Sequence, residues 1–241
     1  MAHRKEITIF AVAFFYRLLI FLALLWWSGQ AGFEYPLLGS DANGYWNLAH
    51  NMVTERKFYM EDERFTPLRR PPGYPLFLAA FQALPIEAET AQYMISTIQI
   101  ALAALSAVLL YRLVQQFTGE RTATVAALLF ALEPNSAYYS TLLLSDALFV
   151  FLLIAFAYVF LTKKSYSAFF YAGILLGFSM LVRPITQFFP AIAILFLFFM
   201  QGLQRKTIVQ SAALCLGTLL FTLPWMMRNS TVAESFDISS S

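Results

Sequence analysis

Residues 7–27 read ITIFAVAFFYRLLIFLALLWW. This run decides the class of fold, because an α-helix needs about 20 mostly apolar residues to cross the hydrocarbon of a bilayer. A basic start, with Arg4 and Lys5, precedes it, as in a secretory leader. The apolar stretch is too long for a leader, however. Arg17 interrupts it, and no small-residue cleavage site comes before Trp26 and Trp27. It reads as a retained membrane helix.

The rest of the chain agrees with this start. Of 241 residues, 59% are hydrophobic and only 12% charged, with a mean hydropathy of +0.64. Soluble domains carry about 25% charged residues, so the chain reads as an integral membrane protein in a lipid bilayer. Its 25 phenylalanines suit lipid-facing helices. A net charge of +2 gives no argument for nucleic acid as a partner. Cys215 is the single cysteine, so an intramolecular disulfide is excluded and cysteine usage does not mark the compartment.

Further apolar runs at 91–113, 122–138, 142–161, 166–182, 185–200 and 208–227 predict an all-α fold of about seven transmembrane helices. The fifth and sixth meet at Arg183-Pro184, as a tight pair or as incomplete spans. Lysine and arginine in short loops set orientation. With the N-terminus cytoplasmic, Arg4, Lys5, Arg112, Arg121, Lys163, Lys164, Arg205 and Lys206 all fall inside. The outside is then periplasm, cell exterior or an organelle lumen, and the compact style of the chain suits a bacterial inner or plasma membrane. Residues 71–84 are apolar but short, and a crossing there would invert every later loop. They read as an interfacial or re-entrant helix within an outer loop, 28–85. The same loop carries Asp41, Tyr45, Leu48 and Met52 at helical spacing, so a second short helix presents them on one face. Residues 1–228 thus form one transmembrane module, and 229–241 a polar tail.

Several side chains suit chemistry. Asp41 is either a solvated surface acid or a general base toward an attacking hydroxyl. Arg69 and Arg70 are either interfacial anchors or a phosphate-binding pair, since guanidinium forks take phosphate bidentately. Arg183 has the same two readings. Arg56, Lys57 and Arg64, among Glu55, Glu61, Asp62 and Glu63, read as a solvated, self-paired face. Arg17, Glu133 and Asp146 fall inside spans, where ionisable groups are costly and mark function by default. The two acids either line a polar cavity with Asn135 and Tyr138, or form a structural ion pair or a hydrogen-bonded helix break. Arg17 is either their partner or paired elsewhere inside the bundle. His3 and His50 lack metal-ligand spacing, so no metal site is assigned and a divalent cation has no support. The absence of a Gly-rich phosphate loop, CxxC, HExxH or GxSxG argues against an ATPase and against zinc or serine hydrolases.

Four stretches, taken in order, carry a likeness: SDANGYWNLA, RRPPGYPLFLA, EPNSAYYSTLLLSDALF and AGILLGFSMLVRPITQFFP, with PWMMRNS after them. The chain resembles the GT-C membrane glycosyltransferases, in the group of dolichyl-phosphate-mannose protein mannosyltransferases and aminoarabinose transferases. The resemblance implies a polyprenyl-phosphate-linked sugar as donor, a hydroxyl acceptor, an outer-face site and inversion at the anomeric carbon. It assigns Asp41 as the catalytic acid of the first loop, and Arg69, Arg70 and Arg183 as contacts to the lipid phosphate. Asp146 stands where relatives often have Glu. Such enzymes have more spans, so the resemblance implies an N-terminal module whose tail begins a further region. Two other functions remain open at this point. One is a transporter or flippase using Glu133, Asp146 and Arg17, although inverted repeats, a common transporter sign, are absent. The other is a non-catalytic lipid-binding membrane subunit.

Overall fold

The computed structural model describes residues 2–31, 40–59, 70–232 and 237–238. Arg69, with Arg64, Glu61, Asp62 and Glu63, lies outside the described residues. The described residues form helices and no strand. These are α1 (Ala2–Ala31), α2 (Ser40–Thr54), α3 (Gly73–Gln82), α4 (Ala88–Gln115), α5 (Glu120–Ala131), α6 (Pro134–Tyr139), α7 (Asp146–Thr162), α8 (Tyr166–Val182), a 3-10 turn (Pro184–Thr186), α9 (Phe189–Gln201) and α10 (Arg205–Val232).

Among the described residues, four stretches are long and apolar enough to cross a membrane: His3–Ala31, Ala88–Gln115, Pro184–Gln201 and Arg205–Thr231. α7 and α8 are apolar but have 17 residues each. α3 has ten residues and is about 15 Å long, half the hydrocarbon thickness. α2 forms where helical spacing predicts it. Leu48 is buried, Tyr45 and Met52 are half-buried, and Asp41 is exposed.

The expected span 122–138 is not continuous. α5 ends at Ala131, and α6 starts afresh at Pro134. The cause is local, because Pro134 has no N–H to give and cannot continue a helix interior. Glu133 then serves as N-cap of α6, its carboxylate accepting from the backbone N–H groups of Asn135 at 3.0 Å and Ser136 at 2.5 Å. The expected span 142–161 likewise becomes helical only at Asp146, after a run of turns.

Two compact units divide the chain: Met1–Tyr59 with Pro75–Phe151, and Met60–Tyr74 with Leu152–Ser241. In the first, α1, α4 and α5 meet through small residues. Ala123, Ala127 and Ala131 repeat every fourth position on α5 and are fully buried against Ala13, Ala104, Ala107 and Tyr111. Small side chains let backbones approach where lipid tails remove the hydrophobic drive. At one end Arg112 grips Glu6 with two hydrogen bonds, 2.9 and 2.6 Å, and Lys5 pairs with Glu120 at 2.5 Å. Mid-unit, Ser96 Oγ donates to Thr141 O (2.8 Å) and Gln99 Nε2 to Leu142 O (2.5 Å), so side chains satisfy the turn carbonyls ahead of α7.

In the second unit α8 lies directly on α10. A Cβ at Gly217 would strike the backbone of Phe170 and Ile174, and one at Gly173 would strike Leu214 and Thr218. The obstacle in both cases is backbone, which cannot rotate away. Gly217→Ala should therefore lower stability by about 1–3 kcal/mol, read as a loss of thermal or denaturant resistance in detergent. Leu216→Ala, at a neighbouring position that is 62% exposed, should change it little. Equal behaviour of the two variants would mean that the helices do not touch as described.

Candidate functional site

The first unit is organised around Arg17. Its side chain is fully buried inside an apolar helix, where a lone cation is costly. Of the two readings, an acid as partner or pairing inside the bundle, the hydrogen bonds follow the second, and the guanidinium donates mainly to backbone. Nη1 reaches Ala131 O and, at 3.3 Å, Ala13 O, while Nη2 reaches Phe130 O at 3.2 Å and Ser136 Oγ at 3.3 Å. The physical reason is the helix break. A helix end leaves its last carbonyls without intrahelical donors, and Phe130 and Ala131 close α5. The planar, multi-donor guanidinium serves both carbonyls and the first turn of α6 at once.

Beside this break lies a cavity of about 160 Å³, lined by Glu133, Ser136, Tyr139, Ser140 and Asp146, with Ala103, Phe130, Ala147 and Val150. The structure thus brings together two of the acids singled out in the sequence. Glu133 is committed to capping α6. Asp146 is the first residue of α7, where the helix dipole favours a negative charge. Asn135 and Tyr138 are exposed, as is Tyr139, and neither Asn135 nor Tyr138 lines this cavity. The cavity takes Ser136, Tyr139 and Ser140 in their place. Spacing separates the two sets, since 135 and 138 share one helix face and 136, 139 and 140 another. The interruption that the sequence marks at Glu133-Pro134 is present, and the fresh helix start there sets Ser136, Tyr139 and Ser140 on the cavity.

Asp41 and Tyr45 stand on α2. Ala42, Leu48 and Ala49 of that helix are buried. Gln82 Nε2 donates to Trp46 O at 3.1 Å, and Asn51 Nδ2 to Tyr59 O at 3.0 Å, which fixes the middle and end of α2. Asp41, in the first turn, is left facing outward.

In the second unit, Arg70 and Arg183 come from adjoining segments. A Cβ on Gly73 would lie 2.6 Å from Leu181 C and O, so the backbones touch and only glycine fits. Pro71 and Pro72 are buried, which makes RRPPG a packed segment. Arg183 caps α8, its N–H donating to Ser179 O at 2.8 Å. Thr186 Oγ1, itself 3.4 Å from Ser179 Oγ, is placed to return a bond to Arg183 O at 3.4 Å. The turn that presents Arg183 is thereby held from both sides. Among the described residues, no group of three His, Cys, Asp or Glu is placed to hold a metal ion.

A model of the family described as dolichyl-phosphate-mannose-protein mannosyltransferase matches residues 69–227, about two thirds of the chain. The matched part holds Arg69, Arg70, Glu133, Asp146 and Arg183, while Arg17 and Asp41 precede it. No curated protein matches the chain significantly.

The role found for Arg17 has a measurable consequence. Arg17→Met strands two buried carbonyls, each costing roughly 1–3 kcal/mol. We expect a loss of about 2–5 kcal/mol in denaturant unfolding in detergent, and partial recovery in Arg17→Lys. A loss below about 0.5 kcal/mol, typical of surface changes, would show that the carbonyls find donors elsewhere.

Proposed function

The chain belongs to the dolichyl-phosphate-mannose-protein mannosyltransferase family, and on that premise we propose that it moves a sugar from a polyprenyl-phosphate donor to a hydroxyl acceptor, with inversion, at the extracytoplasmic face of a membrane. Family membership together with the apolar helices gives the coarser statement, a multi-pass membrane glycosyltransferase of the GT-C type. The observation that carries the finer reading is the extent of the match, which takes in Arg70, Asp146 and Arg183 together.

In this reading Arg70 and Arg183 bind the donor phosphate, and the contact between their segments supports a joint role. Asp41 accepts the proton of the acceptor hydroxyl. The acceptor oxygen forms its bond to C1 as the bond from C1 to the phosphate oxygen breaks. The phosphate leaves with the electron pair, and guanidinium charge stabilises it. Asp146, with the hydroxyls of its cavity, offers acceptors and donors for sugar or acceptor hydroxyl groups. The role of Asp41 rests on its place in SDANGYWNLA and on its exposure in the first turn of α2.

Orientation belongs to the same proposal. The pairs Glu6–Arg112 and Lys5–Glu120 put the start of α1, the end of α4 and the start of α5 at one end of the first unit. Arg4, Lys5, Arg112 and Arg121 thus gather at that end, and the positive-inside rule reads it as cytoplasmic.

Two variants test the chemistry in proteoliposomes supplied with a polyprenyl-phosphate sugar. Asp41→Asn should lower kcat by about 10²–10⁴-fold with helical content unchanged, and near-wild-type turnover rejects Asp41 as the base. Arg183→Ala should raise the donor KM by about 10–100-fold, with Arg183→Lys in between. An unchanged KM removes Arg183 from the phosphate site.

A further inference from the structure

The second unit gathers cations that no neighbouring acid answers. No Asp or Glu stands between Asp146 and Glu234 in the sequence. Lys163 and Lys164 lie in the turn before α8, and Arg205 and Lys206 open α10; all four are exposed. In the first unit, by contrast, Glu6 and Glu120 take up Arg112 and Lys5. The two cation pairs share one end because α8 and α10 run in the same direction. Their contacts advance in step, from Lys164 against Gln210, through Gly173 against Gly217, to Gly177 against Thr218. Gln210 Nε2 donates to Lys164 O at 3.0 Å, which ties the turn before α8 to the start of α10. Gln210 is only about 7.5 Å along the helix axis from Arg205.

At the same end, three polar side chains of α10 are buried with unmet hydrogen-bonding atoms. Thr207, Gln210 and Ser211 are 0%, 1% and 7% exposed. Standing at i, i+3 and i+4, they share one helix face, the face from which Gln210 reaches the Lys164 turn. Thr207 Oγ1, Gln210 Oε1 and Ser211 Oγ have no hydrogen-bond partner among the described residues. Buried polar atoms are nearly always bonded. Elsewhere on α10 the helix itself supplies the acceptor: Thr218 donates to Leu214 O at 2.9 Å and Thr222 to Thr218 O at 3.1 Å. Thr207 and Ser211 make no such bond. Two hydroxyls and one amide oxygen are therefore left for a partner from outside the fold, beside four exposed cations.

We propose that this end of the second unit binds a phosphate ester, either the headgroup of an anionic membrane phospholipid or a soluble phosphate. Lys164, Arg205 and Lys206 supply the charge, with Lys163 held 5.6 Å over the Tyr158 ring at the margin. Thr207 and Ser211 donate to phosphate oxygens, since a hydroxyl passes between χ1 wells without moving the backbone. Gln210 Oε1 accepts from a hydroxyl on the esterified group. Phe199 and Leu203, 87% and 82% exposed, leave apolar surface nearby for acyl chains. Basic pockets between membrane helices hold lipid headgroups in this way. The site is distinct from the one assigned to the donor phosphate. α8 has 17 residues and is about 26 Å long, and Arg183 lies at its other end. The proposal is thus independent of the transferase reading.

The test uses the full chain in lipid-free detergent, with thermal unfolding and native mass spectrometry as readouts. The probes are phosphatidylglycerol, phosphatidylcholine and glycerol 3-phosphate. Phosphatidylglycerol should be retained and should raise Tm, and phosphatidylcholine should do neither; equal effects of the two lipids overturn the site. Stabilisation by phosphatidylglycerol but not by glycerol 3-phosphate assigns the site to the bilayer. Stabilisation by both assigns it to the phosphate ester whatever carries it, and stabilisation by neither overturns it. Thr207→Val keeps the shape and every charge. It should weaken phosphatidylglycerol binding about ten-fold, the loss of one hydrogen bond to a charged group. Its lipid-free Tm should be unchanged or higher, because a buried hydroxyl without a partner has been removed. A general attraction of cations for anionic lipid is indifferent to that change, so an unaltered affinity overturns the built site. A lower lipid-free Tm shows that the hydroxyl has a partner within the protein, and also overturns it. Lys164→Gln retains the carbonyl that Gln210 holds and removes the charge. It should weaken binding by a similar factor, and unchanged binding takes the charge out of the site and overturns the proposal.

Discussion

In hydrocarbon, every backbone N–H and C=O must find a partner inside the protein. One interaction carries that constraint here, the contact of Arg17 with the carbonyls that end α5. Without it a helix could not stop in mid-unit. With it, α5 ends at Ala131, α6 begins at Pro134 under the cap of Glu133, and the chain turns before α7. Ser96 and Gln99 meet the remaining turn carbonyls from α4. The polar cavity with Asp146 exists because these donors make a broken helix tolerable. A continuous span would have filled the same volume with apolar side chains.

The second unit meets a related constraint by removing side chains. Gly173 and Gly217 let α8 and α10 touch backbone to backbone, and Gly73 does the same for the segment behind Arg70. Close contact makes up for the missing hydrophobic drive between helices in lipid. It also fixes direction. Once Gly73 is seated on Leu181, the path of Arg70 and the turn carrying Arg183 are set together.

Much of this was legible in the sequence. The apolar run 7–27 and its successors gave an all-helical membrane class, and helical spacing around Asp41 gave α2. The family likeness, read from RRPPGYPLFLA and its companions, is the family that the match over 69–227 returns. What escaped has a physical cause in each case. The interruption at Glu133-Pro134 is legible, but hydropathy averages over a window and does not mark which hydroxyls the restarted helix turns toward the cavity. Arg17 suggested an acid because charge pairs are the familiar remedy for buried cations, whereas unsatisfied carbonyls leave no mark in a sequence. The contact of the segment after Arg70 with the end of α8 depends on a glycine 108 residues away in the chain, between positions 73 and 181, a separation no local pattern encodes.

The reach of Arg17 also sets an order of events during synthesis. Its acceptor Ala131 lies 114 residues downstream. At about 5–20 residues per second, roughly 6–23 s pass on the ribosome before that carbonyl exists. Through that interval α1 holds an unmatched cation at a cost of about 2.5–3.5 kcal/mol on the insertion scale, offset by the leucines and phenylalanines on either side. The first helix enters the bilayer on the strength of its own apolar residues. Arg17 acquires its acceptors on another helix only when α5 arrives, after α4 is already made.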